Sequence, residues 1–205
     1  GSVEYISERF PHVTLIASEE NLGFARANNM AIKRSRGEYL LLLNPDTIVP
    51  ENCFSEYIRF MDSHPDAGGC GAYMLHCDGS FALESRRGLP TPFVAFCKMS
   101  GLTSLFPNSR TFGRYYMRYL NENEVNRIEV MSGAFMFLRR SALDKAGLLD
   151  EDFFMYGEDI DLSYRILKSG YNNYFLPLRM LHYKGESTVK SSYRYVHTFY
   201  QAMQL

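Results

Sequence analysis

The chain has 205 residues, of which 46% are hydrophobic and 15% aromatic, and a formal net charge of −1. This length and composition fit one domain with a sizeable core, and a charge near zero argues against nucleic-acid binding. The four cysteines form no CxxC pair, which argues against a zinc site or a disulfide framework and favours reduced thiols of a cytoplasmic protein. No apolar run approaches the roughly 20 residues that cross a bilayer.

The first half of the chain alternates predicted strands and helices. Residues 13–17 and 39–43 are β-rich runs, and the small apolar residues 69–75 form a third strand. Apolar side chains at helical spacing predict helices over 25–35 and 51–63. This order indicates βαβ units and an α/β fold whose mixed, mainly parallel sheet is flanked by helices.

Asp46 follows four consecutive leucines, which suit a strand buried on both faces of the sheet. Pro45 ends that strand, so Asp46 lies at its carboxyl end, where ligands bind in open α/β sheets. A carboxylate there could hold a divalent cation and, through it, a diphosphate. Asp46 would equally suit an Asx turn before the next helix.

Residues 86–126 interrupt the alternation with prolines, aromatic residues and basic residues, and we interpret them as a partly helical insertion over the site. Regular structure resumes at 127–131 and 133–139, with a bend between these runs. Ser141 is predicted to cap a short helix that ends at Gly147. A helix over 158–168 and a strand over 173–176 follow.

Glu158, Asp159 and Asp161 cluster at the start of that helix. Acids there stabilise the helix dipole, which explains them without any chemistry. The aromatic residues and the glycine directly before them, however, favour an apolar pocket with a carboxylate at its floor. Partial desolvation raises the pKa of such a carboxylate and suits it to act as a general base.

Other polar residues are candidates with equally plain structural alternatives. His182 follows a strand at the sheet edge predicted for Asp46, although a lone histidine is more often structural. Arg86 and Arg87 could bind phosphate oxygens or simply form a surface pair. Arg26 and the neighbouring asparagines, Asn28 and Asn29, open a helix whose N-terminus could meet an anionic ligand.

Four ordered segments resemble the family-2 inverting glycosyltransferases of the GT-A fold (Rossmann-like nucleotide-diphospho-sugar transferases), with the bacterial rhamnosyltransferase-like branch nearest. The segments are residues 21–29, 37–46, 132–135 and 156–162, and the likeness spans about Val13 to Ser187. It implies a GT-A domain over 1–187, with 86–126 as the insertion and 188–205 as a helical tail.

The resemblance also implies roles for single residues. Asp46 matches the last acid of the family's metal-binding DxD motif, whose first acid is here Asn44, and His182 matches a histidine that completes the metal site; the metal would be Mg²⁺ or Mn²⁺. Asp159 matches the general base, with Glu158 beside it. The remaining expected contacts are Asn44, Arg26 and Asn28 with the nucleotide diphosphate, and Arg86, Arg87, Gly133 and Tyr156 with the acceptor or phosphate.

Family members normally begin with a strand–helix–strand segment that holds the base and ribose, and this chain contains no such segment ahead of its match. We therefore expect incomplete nucleoside binding and little transferase activity from this chain. We also expect an exposed sheet edge that favours a homodimer.

The leading interpretation is an enzyme that transfers a sugar from a nucleotide-sugar donor to a saccharide or lipid-linked acceptor, with inversion, in bacterial cell-wall or polysaccharide biosynthesis. We expect it in the cytoplasm, at the inner face of the membrane and peripherally associated with it, with no nucleic-acid partner. The alternative is a non-catalytic nucleotide- or carbohydrate-binding remnant of the same fold. A dehydrogenase is disfavoured because no GxGxxG follows a strand.

Overall fold

The computed structural model describes residues 1–183. The strands are β1 (Tyr39–Leu43), β2 (Thr47–Ile48), β3 (Ala67–Leu75), β4 (Asn126–Ile128), β5 (Phe135–Arg139) and β6 (Asn172–His182). The α-helices are α1 (Ser2–Arg9), α2 (Gly23–Arg34), α3 (Cys53–Ser63), α4 (Pro92–Met99), α5 (Leu102–Leu105), α6 (Arg140–Ala146) and α7 (Glu158–Lys168). Among the described residues no helix is both long and apolar enough to span a bilayer.

The strands form one mixed sheet in the order β1-β5-β3-β6-β2, with β4 also paired to β6. β1, β3 and β6 run in the same direction, but β5 lies antiparallel between β1 and β3, and β2 and β4 run antiparallel to β6. The expectation of a mainly parallel sheet was therefore wrong. β5 is reached through the insertion and a bend instead of a crossover helix, so it enters from the opposite end of the sheet.

The sheet separates two apolar layers, and β5 shows how the sequence produces them. Met136 and Leu138 face a core shared with α2, α6 and α7, whereas Phe135 and Phe137 face a second core formed with α3. In that second core the buried Tyr57 packs on both phenylalanines and donates a hydrogen bond to Gly71 O at 3.1 Å. The sheet that carries the candidate site is thus fixed on both faces.

Most elements lie where the periodicity places them, and two local predictions were wrong. Residues 13–17 form no strand, because β1 pairs only with β5 among the described residues and no neighbour is there to complete a ladder. Ser141 does not cap α6, which begins at Arg140 directly after β5; its hydroxyl lies 3.1 Å from that of Tyr171. The predicted tail helix over 188–205 lies outside the described residues.

Asn29, on the inner face of α2, fixes the segment that leads into α7. Its side chain is 2% exposed, donates to Leu149 O at 2.8 Å and to Glu151 Oε1 at 2.9 Å, and accepts from Leu149 N at 3.1 Å. The sequence suggested an anionic ligand near this residue, but the structure gives its amide three partners within the chain. Asn29 therefore holds the approach to the candidate site.

We expect Asn29→Ala to lower the free energy of unfolding by about 2–3 kcal/mol, because it leaves the buried backbone groups of Leu149 without partners. Urea unfolding of the variant measures this loss. Asn28→Ala is the matched control, because among the described residues the Asn28 amide bonds only Phe24 O, in its own helix, at 2.9 Å. Equal destabilisation by the two substitutions would contradict the assigned role.

Candidate active site

Asp46 and His182 meet at the carboxyl ends of β1 and β6. Thr47 pairs with His182 in the β2–β6 ladder, and Tyr183 N donates to Asp46 O at 2.9 Å. This register places His182 Nε2 3.4 Å from Asp46 Oδ1, with both side chains largely buried. The predicted juxtaposition of these two residues at one sheet edge is thus present.

The Asp46 carboxylate is free of local turn bonding. Its Oδ1 atom is buried and accepts no hydrogen bond from any described residue. The turn is closed instead by Thr47, whose hydroxyl donates to Asn44 O at 2.6 Å. The described residues therefore provide no hydrogen bond that would make Asp46 part of a simple Asx turn. Its buried Oδ1 atom is left available beside His182 Nε2.

Asp159, in the first turn of α7, is held by three donors. Arg87 Nη2 donates to its Oδ2 atom, Gly133 N donates to the same oxygen at 3.2 Å, and Ile160 N donates to Oδ1 at 2.9 Å. The Arg87 guanidinium is fixed in turn by donating to Met131 O at 3.0 Å. Burial opposes the charge of Arg87, but the adjacent Asp159 carboxylate raises its pKa overall.

Glu158, the neighbour of Asp159, is 6% exposed, and its Oε2 atom has no hydrogen-bond partner among the described residues. Burial, reinforced by the negative charge of Asp159, raises the pKa of Glu158 from 4.5 to about 7. The two adjacent acids therefore have different surroundings: Asp159 is paired with a cation, whereas Glu158 is buried and more readily keeps its proton.

One backbone hydrogen bond connects the two carboxylate environments. Asn44 N donates to Ala134 O at 3.0 Å, and the preceding residue, Gly133, donates to Asp159. The end of β1 and the start of β5 are opposed because Leu43 pairs with Phe135. Asp46 and Asp159 are thus supported by the same edge of the sheet.

The segment before α7 has an unusual backbone that ties it to α2. Tyr156 and Gly157 adopt positive φ values of 72° and 98°. A Cβ atom on Gly157 would come within 2.8 Å of the Phe153 ring. Phe24 N donates to Phe154 O at 3.0 Å, which joins the starts of the two helices. The aromatic residues before the acids therefore set the position of the α7 N-terminus.

Other candidate residues lie in separate surroundings. Arg26 is exposed and faces Glu151 at 3.9 Å. Arg86 is 3% exposed and its guanidinium covers the rings of Phe81 and Phe175, where it lines a pocket of about 560 Å³. The two adjacent arginines thus diverge, as neighbours on extended backbone do, and Arg87 is the one that reaches Asp159.

The contact between Arg87 and Asp159 was missed by sequence reasoning, which assigned Arg87 to the acceptor or phosphate. The two residues are 72 positions apart in the sequence. The available signal was that successive side chains on extended backbone point in opposite directions, so Arg86 and Arg87 would face different groups. Among the described residues, no three His, Cys, Asp or Glu side chains converge to form a complete metal site by themselves. Asp46 and His182 could supply two ligands only.

Solved structures with the same architecture define the class of this domain. The chain aligns with GalNAc-T7, crystallised with UDP, GalNAc and Mn²⁺, at a TM-score of 0.60 and 19% identity over 97% of this chain and 38% of that one. It aligns with S. aureus TarS at a TM-score of 0.59 and 14% identity, over 100% of this chain and 51% of that one. The domain therefore has the GT-A glycosyltransferase fold.

The family follows from the sequence: the Glycosyl transferase family 2 model matches residues 1–147, and the chain belongs to that family. N-acetylglucosaminyl-diphospho-decaprenol L-rhamnosyltransferase of Mycobacterium tuberculosis is 28% identical over 92% of this chain and 64% of its own length. Rhamnosyltransferase WbbL of Escherichia coli is 23% identical over 84% of this chain and 66% of its own length. The chain thus spans slightly less than two thirds of either relative.

Proposed function

We propose that this chain carries the reaction centre of an inverting glycosyltransferase that moves a sugar, rhamnose in the first instance, from a nucleotide-sugar donor to a glycan or lipid-linked acceptor. Family membership and the two rhamnosyltransferase relatives support this assignment. The observation that carries it is the position of Asp159, held by Arg87 and Gly133 on the sheet edge that also carries Asp46. A non-catalytic binding domain of the same fold is the alternative.

Asp159 is the proposed general base. It takes the proton of the acceptor hydroxyl as that oxygen attacks the anomeric carbon, while the bond from that carbon to the nucleoside diphosphate breaks. The new bond forms on the face opposite the leaving group, so the anomeric configuration inverts. Arg87 and Gly133 N orient the Asp159 carboxylate, and the raised pKa of Glu158 disfavours a second negative charge beside it.

Asp46 and His182 fit a divalent cation, Mg²⁺ or Mn²⁺, because a buried carboxylate oxygen without a hydrogen bond lies beside an imidazole nitrogen. Such an ion would neutralise charge on the departing diphosphate. The other ligands would come from the diphosphate and water. Asn44, Arg26 and Asn28 remain our candidates for nucleotide contacts, and Arg86, Gly133 and Tyr156 for acceptor or phosphate contacts.

Calorimetric titration of UDP, and separately dTDP, in the presence of Mn²⁺ tests the diphosphate site. We expect metal-dependent binding to weaken at least tenfold in Asp46→Ala, because the charged ligand is lost. Asp144→Ala, at an exposed position of α6, should bind as the unsubstituted chain does. Binding that is independent of Mn²⁺, or equal in the two variants, would contradict the assignment of Asp46.

A further inference from the structure

The insertion carries an apolar surface that the proposed reaction does not use. Its residues are Phe93, Phe96, Met99, Leu105 and Phe106, with exposed fractions of 51%, 59%, 86%, 69% and 46%. We call them the insertion patch. Soluble proteins rarely leave so many large apolar side chains exposed together without a binding role.

The insertion patch is continuous across two helices. α4 buries Val94 and Cys97 against the domain, so Phe93, Phe96 and Met99, each three residues after the last, form a stripe on its outer face. Ring contacts extend the stripe towards α5, because Phe112 lies 6.5 Å from Phe93 and 5.6 Å from Phe106. The two helices thus present one apolar surface.

The segment that carries this patch is rich in basic residues, two of which are paired with carboxylates, Arg87 with Asp159 and Arg114 with Glu129. Residues 86–121 contain six Lys and Arg and no Asp or Glu, whereas the whole chain has 22 basic and 23 acidic residues. Arg110 and Arg118 are exposed, with no carboxylate at ion-pair distance in the described part of the chain. An apolar stripe in a segment that also carries two exposed cations complements an anionic lipid surface.

We propose that the insertion patch is a membrane-docking surface that inserts its apolar side chains into the interface of an anionic phospholipid bilayer, with Arg110 and Arg118 at the headgroups. The first residues of the segment reach the candidate site, because Arg87 binds Asp159. The bilayer is also the location of a lipid-linked acceptor. The binding itself does not depend on transferase activity.

The absence of tryptophan from the chain allows a direct test. Phe96→Trp places a single fluorophore in the patch, and Phe54→Trp places one at an exposed site on α3. With vesicles of phosphatidylcholine and 30% phosphatidylglycerol, we expect a blue shift and quenching by brominated lipid for Phe96→Trp only. Equal responses at the two sites, or none at position 96, would overturn the proposal.

Vesicle co-sedimentation of the chain separates this surface from a protein interface. The double variant Phe96→Ser/Met99→Ser and the charge variant Arg110→Glu/Arg118→Glu should each lower binding to phosphatidylglycerol vesicles more than tenfold, and 0.5 M NaCl should weaken binding of the unsubstituted chain. Phe54→Ser/Ile58→Ser is the matched control and should bind normally. A dimer that Phe96→Ser/Met99→Ser dissociates, without any vesicle binding, would show that a second copy covers the patch.

Discussion

Asp159→Asn is expected to slow sugar transfer by about 10²–10⁴-fold, the range that a positioned general base contributes. The substitution keeps the shape of the side chain, and its amide oxygen can still accept from Gly133 N or Arg87. It removes the ability to take a proton from the acceptor hydroxyl. Donor affinity, measured by calorimetry, should therefore change much less than the rate.

The rate is measured in single turnover with dTDP-L-rhamnose and a prenyl-diphosphate-linked N-acetylglucosamine, chosen after the mycobacterial relative. Asp161→Asn is the matched control, because it removes the same charge from the same helix turn. Asp161 binds Arg165, with Nε at 2.9 Å from its Oδ2 atom, and should leave the rate within about threefold.

Either of two results would count against this assignment. An Asp159→Asn rate within a few fold of normal would remove Asp159 from the role of base. An equal loss in Asp161→Asn would point to a general effect of charge at the start of α7.

Local patterns in the sequence were sufficient to predict the elements that frame the site. The leucine run predicted β1 with its observed bounds, and the apolar spacing with a glycine beyond the helix end predicted α7. The meeting of Asp46 with His182 followed from placing both residues at strand ends. These features depend on short-range periodicity and on the common direction of β1 and β6.

Features set by distant partners were not predictable in the same way. The direction of β5 depends on where the insertion returns the chain, and the destination of Arg87 depends on an acid 72 residues away. Residues 13–17 have strand-forming side chains but no neighbouring strand within residues 1–183, so propensity alone was misleading. The sequence suggested that Asn29 lies near a ligand, because its burial against residues 149–151 leaves no local signal in the sequence.

Glu158→Gln is expected to stabilise the fold at alkaline pH and to flatten the dependence of stability on pH. The native pKa of Glu158 is about 7, against 4.5 for an unperturbed side chain. Between these values the unfolded chain has lost the proton and the native chain retains it, so stability falls as pH rises. Above pH 7 the cost of ionising the buried carboxylate is about 3 kcal/mol, and glutamine avoids it.

Urea unfolding at pH 5, 6, 7 and 8.5, followed by far-UV circular dichroism, measures this effect. The difference in free energy of unfolding between the unsubstituted chain and Glu158→Gln should increase up to about pH 7 and stay constant above it. Glu8→Gln, on the exposed face of α1, controls for the loss of a surface carboxylate. Parallel curves for the unsubstituted chain and Glu158→Gln would show that Glu158 carries no raised pKa.

The Asp159→Asn variant provides an internal check on what raises the pKa of Glu158. Burial is the larger cause of the raised pKa and the Asp159 charge the second, while Arg87 acts in the opposite direction. Removing the Asp159 charge should therefore lower the pKa of Glu158 and narrow the pH range over which stability falls, without abolishing the effect. Complete loss of the effect in Asp159→Asn would mean that charge, not burial, sets the protonation of Glu158.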